Sequence, residues 1–146
     1  MDEASLEELN EQDCLALLRS LEVGRVGVVV EDFLVVVPVN YRLVEDDTGF
    51  GLVIRTRTGG VVDRVGQVAF EIDGIDPVHH LGWSVLVRGT ATHVDPGAVE
   101  LLGTVVDPRP WVAGRDAWMI VRPVAVTGRR LRPPEVEWVF GAFGYL

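Results

Sequence analysis

Residues 23–41 read VGRVGVVVEDFLVVVPVNY, two valine-rich runs separated by Glu31-Asp32. β-Branched residues favour extended strands, and two acidic residues between apolar runs are typical of a turn. The stretch therefore predicts a β-hairpin. Because both runs are almost continuously apolar, we expect these strands to be covered on both faces, as in a closed barrel or beneath a second subunit.

Further strands are predicted on the C-terminal side of this hairpin. Apolar, β-branched runs occupy residues 51–55, 67–72, 82–94 and 118–126. Residues 61–65 are expected to form a short helical turn, and residues 73–81 a loop. Asp95-Pro96 places a capping residue before a helix-compatible proline, so a helix should follow and end before Pro108. About six strands joined by short turns predict a mainly β (β+α) fold, a small antiparallel barrel with short helices at its ends.

The two ends of the chain carry different patterns. Ser5-Leu6-Glu7-Glu8 matches a capping box, and leucines spaced by three and four residues predict an amphipathic helix within residues 1–21, broken near Asn10. Cys14 belongs to that apolar stripe and is interpreted as a core residue. Residues 133–146 carry four aromatic side chains with little polar cover. We expect this tail to dock on the domain, residues 1–132, or on a second subunit.

Composition excludes several classes of protein. The net charge of −9 argues against a nucleic-acid partner, since a phosphate backbone attracts a basic face. All 13 basic residues are arginine, which excludes Schiff-base chemistry on a lysine. The single cysteine provides no disulfide framework, and no apolar run approaches the ~18 residues of a membrane span. We therefore expect a cytoplasmic protein with no membrane partner.

Residues 52–65, LVIRTRTGGVVDRV, combine residue types that can hold a phosphate. Arg55 and Arg57 are two residues apart, so on a strand they share one face. A guanidinium fork matches phosphate oxygens, threonine hydroxyls add neutral donors, and Gly59-Gly60 allows backbone N–H groups to approach an anion closely. An exposed basic hairpin turn would have the same composition, so the loop alone leaves both interpretations open.

Eight strings occur in the order found in a known family: VGRVGVVV, PVNY (38–41), IRT (54–56), VAFEID (68–73), GWSVLVRG (82–89), PW (110–111), GRDAW (114–118) and TGRR (127–130). From about residue 10 to residue 131 the chain resembles the pyridoxamine 5′-phosphate oxidase-like, flavin-binding split-barrel proteins, in particular their actinobacterial small-protein branch. The resemblance implies a six-stranded antiparallel split β-barrel with short flanking helices. It also implies a homodimer with two flavin mononucleotide (FMN) sites, each built from both subunits in the dimer groove.

The resemblance further implies which residues contact the cofactor. The end of the arginine strand and the loop after it would hold the phosphate, and a segment of the hairpin would lie along the ring system. Two residues of a later strand would approach the ring from the other subunit. In that order the residues are Arg55, Thr56, Arg57, Thr58, Gly59, Gly60 and Val61; Pro38, Val39, Asn40 and Tyr41; and Trp83 and Ser84.

One position departs from the family pattern. The loop in the family usually continues to a lysine that contacts the phosphate, and the matching residue here is Val61. Losing this charge-assisted contact would cost roughly 1.5–3 kcal/mol, or about 10- to 100-fold in affinity. Arg57 or Arg64 could compensate. Alternatively, the site accepts a deazaflavin, which some relatives use, or no cofactor.

Other residues are candidates for a substrate pocket or a metal site. Trp111, Arg115 and Trp118 are candidates to line a substrate pocket beside the ring, although Arg115 and Asp116 would equally suit a structural ion pair. His79 and His80 are adjacent and would point apart in an extended chain, so we predict no metal site. No residue is assigned a catalytic role.

The resemblance and the arginine loop together lead to one functional expectation and one alternative. We expect an FMN-dependent oxidoreductase that acts on a small organic molecule in the dimer cleft. The alternative is a cofactor-independent or deazaflavin-using split-barrel protein that binds or converts a small molecule in a specialised biosynthetic pathway.

Overall fold

A computed structural model describes residues 4–134, apart from the side chains of Leu101, Thr104 and Val105. Within this range the elements are β1 (Ser5–Leu9), α1 (Glu11–Ser20), β2 (Val23–Val30), β3 (Phe33–Asp46), β4 (Gly49–Thr56), β5 (Gly66–Asp76), β6 (Leu81–His93), α2 (Pro96–Val105) and β7 (Ala117–Arg132). The expected aromatic tail, residues 133–146, falls almost wholly outside the described residues and stays a prediction.

The sheet is antiparallel throughout and closes on itself. The strand order is β1-β7-β4-β3-β2-β5-β6, and β6 also pairs with β7. Strands β2 to β7 thus form a closed ring of six strands, with β1 added outside it. The prediction of a mainly β, antiparallel split barrel is confirmed, but the strand count is seven rather than six.

Strand β7 pairs with three other strands, which explains the split. One of its edges pairs with β6 from Met119 to Leu131. The other edge pairs with β4 up to Val121 and with β1 from Gly128 onward. Residues 122–127 therefore have no strand partner on that second edge within the described chain, and the barrel opens there.

The predicted hairpin is confirmed as β2 and β3. Glu31 and Asp32 both have positive φ, 49° and 65°, as a two-residue turn matched to the right-handed twist of the strands requires. One face of the hairpin packs in the core. Its other face is exposed in the single chain, with Leu34 82% and Val36 66% accessible. The expected cover on this second face is therefore not provided by the barrel itself.

The N-terminal prediction was partly wrong. Ser5–Leu9 is strand β1, not a helical capping box, because it hydrogen-bonds along the free edge of β7. The helix begins at Glu11 and is capped by Asn10, whose side-chain oxygen accepts a hydrogen bond from the Asp13 N–H at 2.8 Å. Cys14 is buried in the core, as predicted.

Two loop predictions also need correction. Residues 61–65 form turns and extended chain rather than a helical turn. The expected loop at 73–81 shrinks to residues 77–80, because β5 continues to Asp76 and β6 begins at Leu81. Helix α2 follows Asp95 as expected, and the Asp95 carboxylate accepts a hydrogen bond from the Gly97 N–H at 3.1 Å. Among the described residues, neither helix is long and apolar enough to cross a membrane.

Candidate functional site

A groove of about 510 Å³ lies beside the arginine loop. It is formed by the middle of β3, the end of β4, the loop that follows β4, and the segment that precedes β7. Its walls are Val37, Pro38, Val39, Asn40, Arg55, Thr56, Arg57, Gly60, Val61, Val62, Pro110, Val112 and Arg115. The fold therefore brings together eight of the thirteen residues predicted to contact a cofactor, and one of the three substrate candidates.

The hairpin residues beside the groove alternate between the two sides of β3. Val39 and Tyr41 are buried on the core side, whereas Pro38 and Asn40 point to the other side, and all of them except Tyr41 line the groove. Tyr41 is fully buried, its hydroxyl donates to the Leu18 carbonyl at 2.6 Å, and burial raises the pKa of its phenol. Its side chain does not line the groove, and the assignment of Tyr41 to the cofactor stays a prediction.

Of the two polar atoms in the Asn40 side chain, only the oxygen is hydrogen-bonded within the described chain. Its Oδ1 accepts a hydrogen bond from the Trp111 backbone N–H at 3.3 Å. Its Nδ2 is buried and has no hydrogen-bond partner within residues 4–134. A buried donor without an acceptor costs about 1–3 kcal/mol, so this atom is a ready contact for a ligand acceptor.

Arg55 lines the groove, but another part of the chain already neutralises its charge. Its Nη1 donates to both carboxylate oxygens of Asp107, at 3.0 and 3.1 Å, and its Nε donates to the Arg115 carbonyl at 3.0 Å. Burial opposes ionisation of Asp107, yet the Arg109 N–H and the Arg55 guanidinium hold its pKa below the ordinary value. The guanidinium also lies 5.0 Å from the ring centre of Trp118, its cross-strand neighbour.

The loop after β4 is held closed by an internal carboxylate. The Gly59 N–H donates to Asp63 Oδ2 at 2.8 Å, and Asp63 Oδ1 lies 2.5 Å from His93 Nε2. These two contacts lower the pKa of Asp63. Gly59 has a positive φ of 77°. Thr58 and Gly59 do not line the groove, so their predicted direct role there is not supported by the geometry.

The three remaining cations of the region differ in their contacts. Arg64 donates to the Val29 carbonyl and does not line the groove, so it cannot replace the missing lysine. Arg57 and Arg115 line the groove, and neither guanidinium has a hydrogen-bond or ion-pair partner in the described part of the chain. The alternative ion pair between Arg115 and Asp116 is likewise absent from residues 4–134.

The groove is therefore electropositive in an acidic protein. Its walls contain three arginines and no aspartate or glutamate among the described residues. Only Arg55 is neutralised, by Asp107. Val61 is 40% exposed and adds an apolar patch to the same wall. An elongated ligand with one anionic end and a flat, partly polar body suits this surface.

The tryptophans predicted at the site lie elsewhere. Trp118 is behind Arg55 and contacts the guanidinium rather than the groove. The side chain of Trp111 is exposed, while its neighbours Pro110 and Val112 line the groove. Trp83 packs on the core, with its indole against Gly74. Trp83 and Ser84 do not line the groove of their own chain, and their predicted contact from a second subunit stays a prediction.

Sequence reasoning missed Asp107 and Asp63. Each is one of 22 acidic residues, and neither lies in a recognisable motif. Asp107 precedes Pro108, a position that favours extended backbone, but its partner Arg55 is 52 residues away. Only the closed fold brings these residues together.

Comparison with known proteins agrees with the split-barrel fold. The sequence profile of the pyridoxamine 5′-phosphate oxidase family matches residues 10–130. The uncharacterized protein Rv0080 of Mycobacterium tuberculosis is 35% identical over 135 residues, which cover 85% of this chain and 84% of that protein.

Two solved structures have the same fold. The FAD binding protein from Mycobacterium smegmatis is 29% identical, with a TM-score of 0.68 over 86% of this chain and 98% of its own. The conserved protein of unknown function DIP1874 from Corynebacterium diphtheriae is 28% identical, with a TM-score of 0.72 over 86% of this chain and 98% of its own. With the family profile spanning most of its length, the chain belongs to the pyridoxamine 5′-phosphate oxidase family of split-barrel proteins.

Proposed function

We propose that the groove binds a flavin nucleotide and that the protein is a flavin-dependent oxidoreductase acting on a small organic molecule. The observation that carries this proposal is the buried Asn40 Nδ2, which has no acceptor within the described chain and belongs to a residue that lines a groove with free guanidinium groups. A flavin ring offers carbonyl oxygens and ring nitrogens to such a donor. The binding of FAD by the Mycobacterium smegmatis relative supports a flavin over an unrelated ligand.

The residues of the groove fit the two ends of such a ligand. Arg57 and Arg115 would bind the phosphate, and Gly60 leaves room beside them because it has no side chain. Pro38 and Asn40 would lie along the ring, with Asn40 donating from Nδ2. We favour FMN because the groove holds about 510 Å³, within the usual range of small-ligand sites, although FAD is a direct competitor.

The protein would contribute binding and orientation rather than acid–base chemistry. A bound flavin would supply hydride transfer to or from the substrate. The described groove walls carry no histidine, aspartate or glutamate, so proton exchange would take place through solvent or the substrate itself. Arg57 and Arg115 would fix the ligand by its anionic end, and Asn40 would set the position of the ring.

Ligand titration tests the proposal. Protein fluorescence or flavin fluorescence would be followed with FMN, FAD and riboflavin, and we expect micromolar or tighter binding of at least one nucleotide. Asn40→Asp keeps the acceptor for the Trp111 N–H but replaces the free donor with an acceptor. It should weaken binding by about tenfold or more, because a hydrogen bond is exchanged for a repulsive contact.

The control for this titration is the neighbouring residue of β3. Tyr41→Phe changes only a hydroxyl that is bonded inside the core, so flavin affinity should not change. Absence of any flavin uptake at high micromolar concentration would exclude the proposed function. Equal affinity of wild-type protein and Asn40→Asp would remove its main support.

A second candidate is a split-barrel protein that uses a deazaflavin or no redox cofactor. Two observations favour it. Val61 adds no charge to the groove wall. The Gly59 N–H, which was expected to bind a phosphate, already donates to the Asp63 carboxylate. Titration with a deazaflavin in parallel with FMN distinguishes the two. Uptake of the deazaflavin without uptake of FMN would favour this candidate.

We also propose that the protein is a homodimer through the exposed face of the hairpin. This hairpin face consists of Val29, Leu34 and Val36, together with Val124 from β7, all more than half exposed in the single chain. Part of it forms an apolar hollow of about 560 Å³. A contiguous exposed apolar surface of this kind marks an interaction site, and Trp83 and Ser84 of the second copy would then reach the flavin.

Light scattering during size-exclusion chromatography tests the dimer. Leu34→Glu should convert the dimer to a monomer, because it places a charge at the centre of the hairpin face. Leu6→Glu, at an exposed leucine of β1 outside that face, is the matched control and should remain dimeric. A monomeric wild-type protein would exclude the proposal.

A further inference from the structure

We propose that Arg115 is the principal phosphate-binding cation of the groove. The ligand class is a phosphate monoester dianion, and its assignment to the phosphate of a flavin nucleotide rests on the proposed function. This cation lies in the segment that precedes β7, not at the end of β4 or in the loop that follows it.

The positive charge of the groove is carried by two of its three arginines. Three arginines line the groove, but Arg55 is bound to both oxygens of Asp107. The two side chains are only 23% and 27% exposed, so solvent screens this pair little. Arg55 therefore brings almost no net charge to a ligand, and the positive charge of the groove resides on Arg57 and Arg115.

Arg57 and Arg115 differ in their exposure to solvent. Arg57 follows the end of β4 and is exposed, so water screens its charge and many side-chain conformations are open to it. Arg115 is partly buried, and its carbonyl is fixed by the Arg55 Nε at 3.0 Å. A cation with a fixed backbone and less solvent around it interacts more strongly with an anion and loses less conformational entropy on binding.

The other nearby cations do not reach the groove. Arg64 donates to the Val29 carbonyl, and neither Arg64 nor Arg109 lines the groove. Gly114, immediately before Arg115, has a positive φ of 79°, a backbone conformation that glycine adopts at little cost. Of the two arginines in the groove wall that are unpaired within the described chain, Arg115 is therefore the less exposed and the one whose backbone is hydrogen-bonded to a groove residue.

The first experiment uses inorganic phosphate and does not depend on flavin. The melting temperature of the whole protein is measured in phosphate and in chloride at equal ionic strength. Phosphate at about ten times its dissociation constant should raise the melting temperature by roughly 3–5 °C. Arg115→Gln should abolish this rise, whereas Arg109→Gln, which removes the same charge from the same segment, should retain it. General salting-out by phosphate acts on both variants alike.

The second experiment compares FMN with riboflavin, which lacks the phosphate. In Arg115→Gln the affinity for FMN should fall about 10- to 100-fold while the affinity for riboflavin is unchanged. A new lysine in the same groove wall, Val61→Lys in the Arg115→Gln background, should restore most of the preference for FMN. A protein that had merely been destabilised would lose both ligands together.

The outcomes separate this inference from the proposed function. Stabilisation by phosphate that disappears in Arg115→Gln supports Arg115 even where no flavin binds, and in that case only the proposed function fails. FMN binding with an unchanged preference over riboflavin in Arg115→Gln overturns the inference and leaves the proposed function intact. Absence of any specific phosphate effect on the wild-type protein, by either measurement, also overturns it.

Discussion

Replacing Tyr41 with phenylalanine should lower the free energy of unfolding without changing the affinity for flavin. The Tyr41 hydroxyl donates to the Leu18 carbonyl at 2.6 Å, and both side chains are fully buried. Leu18 lies in the last turn of α1, where carbonyls have no partner inside the helix. The hydroxyl therefore satisfies a helix end that faces the barrel core.

The size of the effect follows from that geometry. Phenylalanine keeps the edge-on contact with Phe70, whose ring centre lies 4.8 Å away, and removes only the oxygen. A buried carbonyl left without a donor costs about 1–3 kcal/mol, and relaxation toward solvent at the helix end reduces this, so we expect about 1–2 kcal/mol. For a domain of this size the melting temperature should fall by roughly 3–6 °C.

Urea denaturation and flavin titration on the same preparations provide the test. Tyr41→Leu, which also removes the ring, should cost at least about twice as much as Tyr41→Phe, because it leaves a cavity beside Phe70. A change of less than about 0.3 kcal/mol in Tyr41→Phe would refute the role of the hydroxyl. Loss of flavin affinity at unchanged stability would refute the placement of Tyr41 in the core.

Two further predictions concern the loop after β4. Gly60→Ala should weaken flavin binding several-fold, because the added Cβ would lie 3.0 Å from the Arg57 carbonyl oxygen and the loop must shift. Gly27→Ala is the control, since its Cβ would lie 3.7 Å from the Ala69 Cβ, and its flavin affinity should not change. Asp63 has a lowered pKa in the fold, so its contribution to stability is present above its ordinary pKa near 4 and is lost as the pH falls through the lowered value. Melting temperatures of the wild type and Asp63→Asn should therefore differ at pH 7 and converge below about pH 4, and an unchanged difference at low pH would contradict this role.

The barrel could be predicted from local signals, but β1 could not. Valine-rich runs and acidic turns mark β2, β3 and the strands that follow, because their patterns and turn residues agree. Residues 5–9 carry a capping-box sequence, yet they form a strand by pairing with Gly128–Arg132 at the other end of the chain. Local propensity is weak over five residues, and a free strand edge outweighs it.

The position of the groove could also be predicted, while the roles inside it could be predicted only in part. Strand alternation places Asn40 and Tyr41 on opposite sides of β3, but it does not define the groove wall, because Val39, on the same side as Tyr41, also lines the groove. The neutralisation of Arg55 by Asp107 depends on a contact across 52 residues. Charge counting along a sequence finds the arginines, but not which of them remain free.

The triple pairing of β7 has a consequence for the synthesis of the protein. Strands β1, β4 and β6 emerge from the ribosome before β7, yet each of them completes its hydrogen bonding only on residues 117–132. Until that strand leaves the exit tunnel, the nascent chain exposes open sheet edges and an unfinished core. Such edges attract other chains, so the nascent protein is most vulnerable to aggregation before β7 is available for pairing.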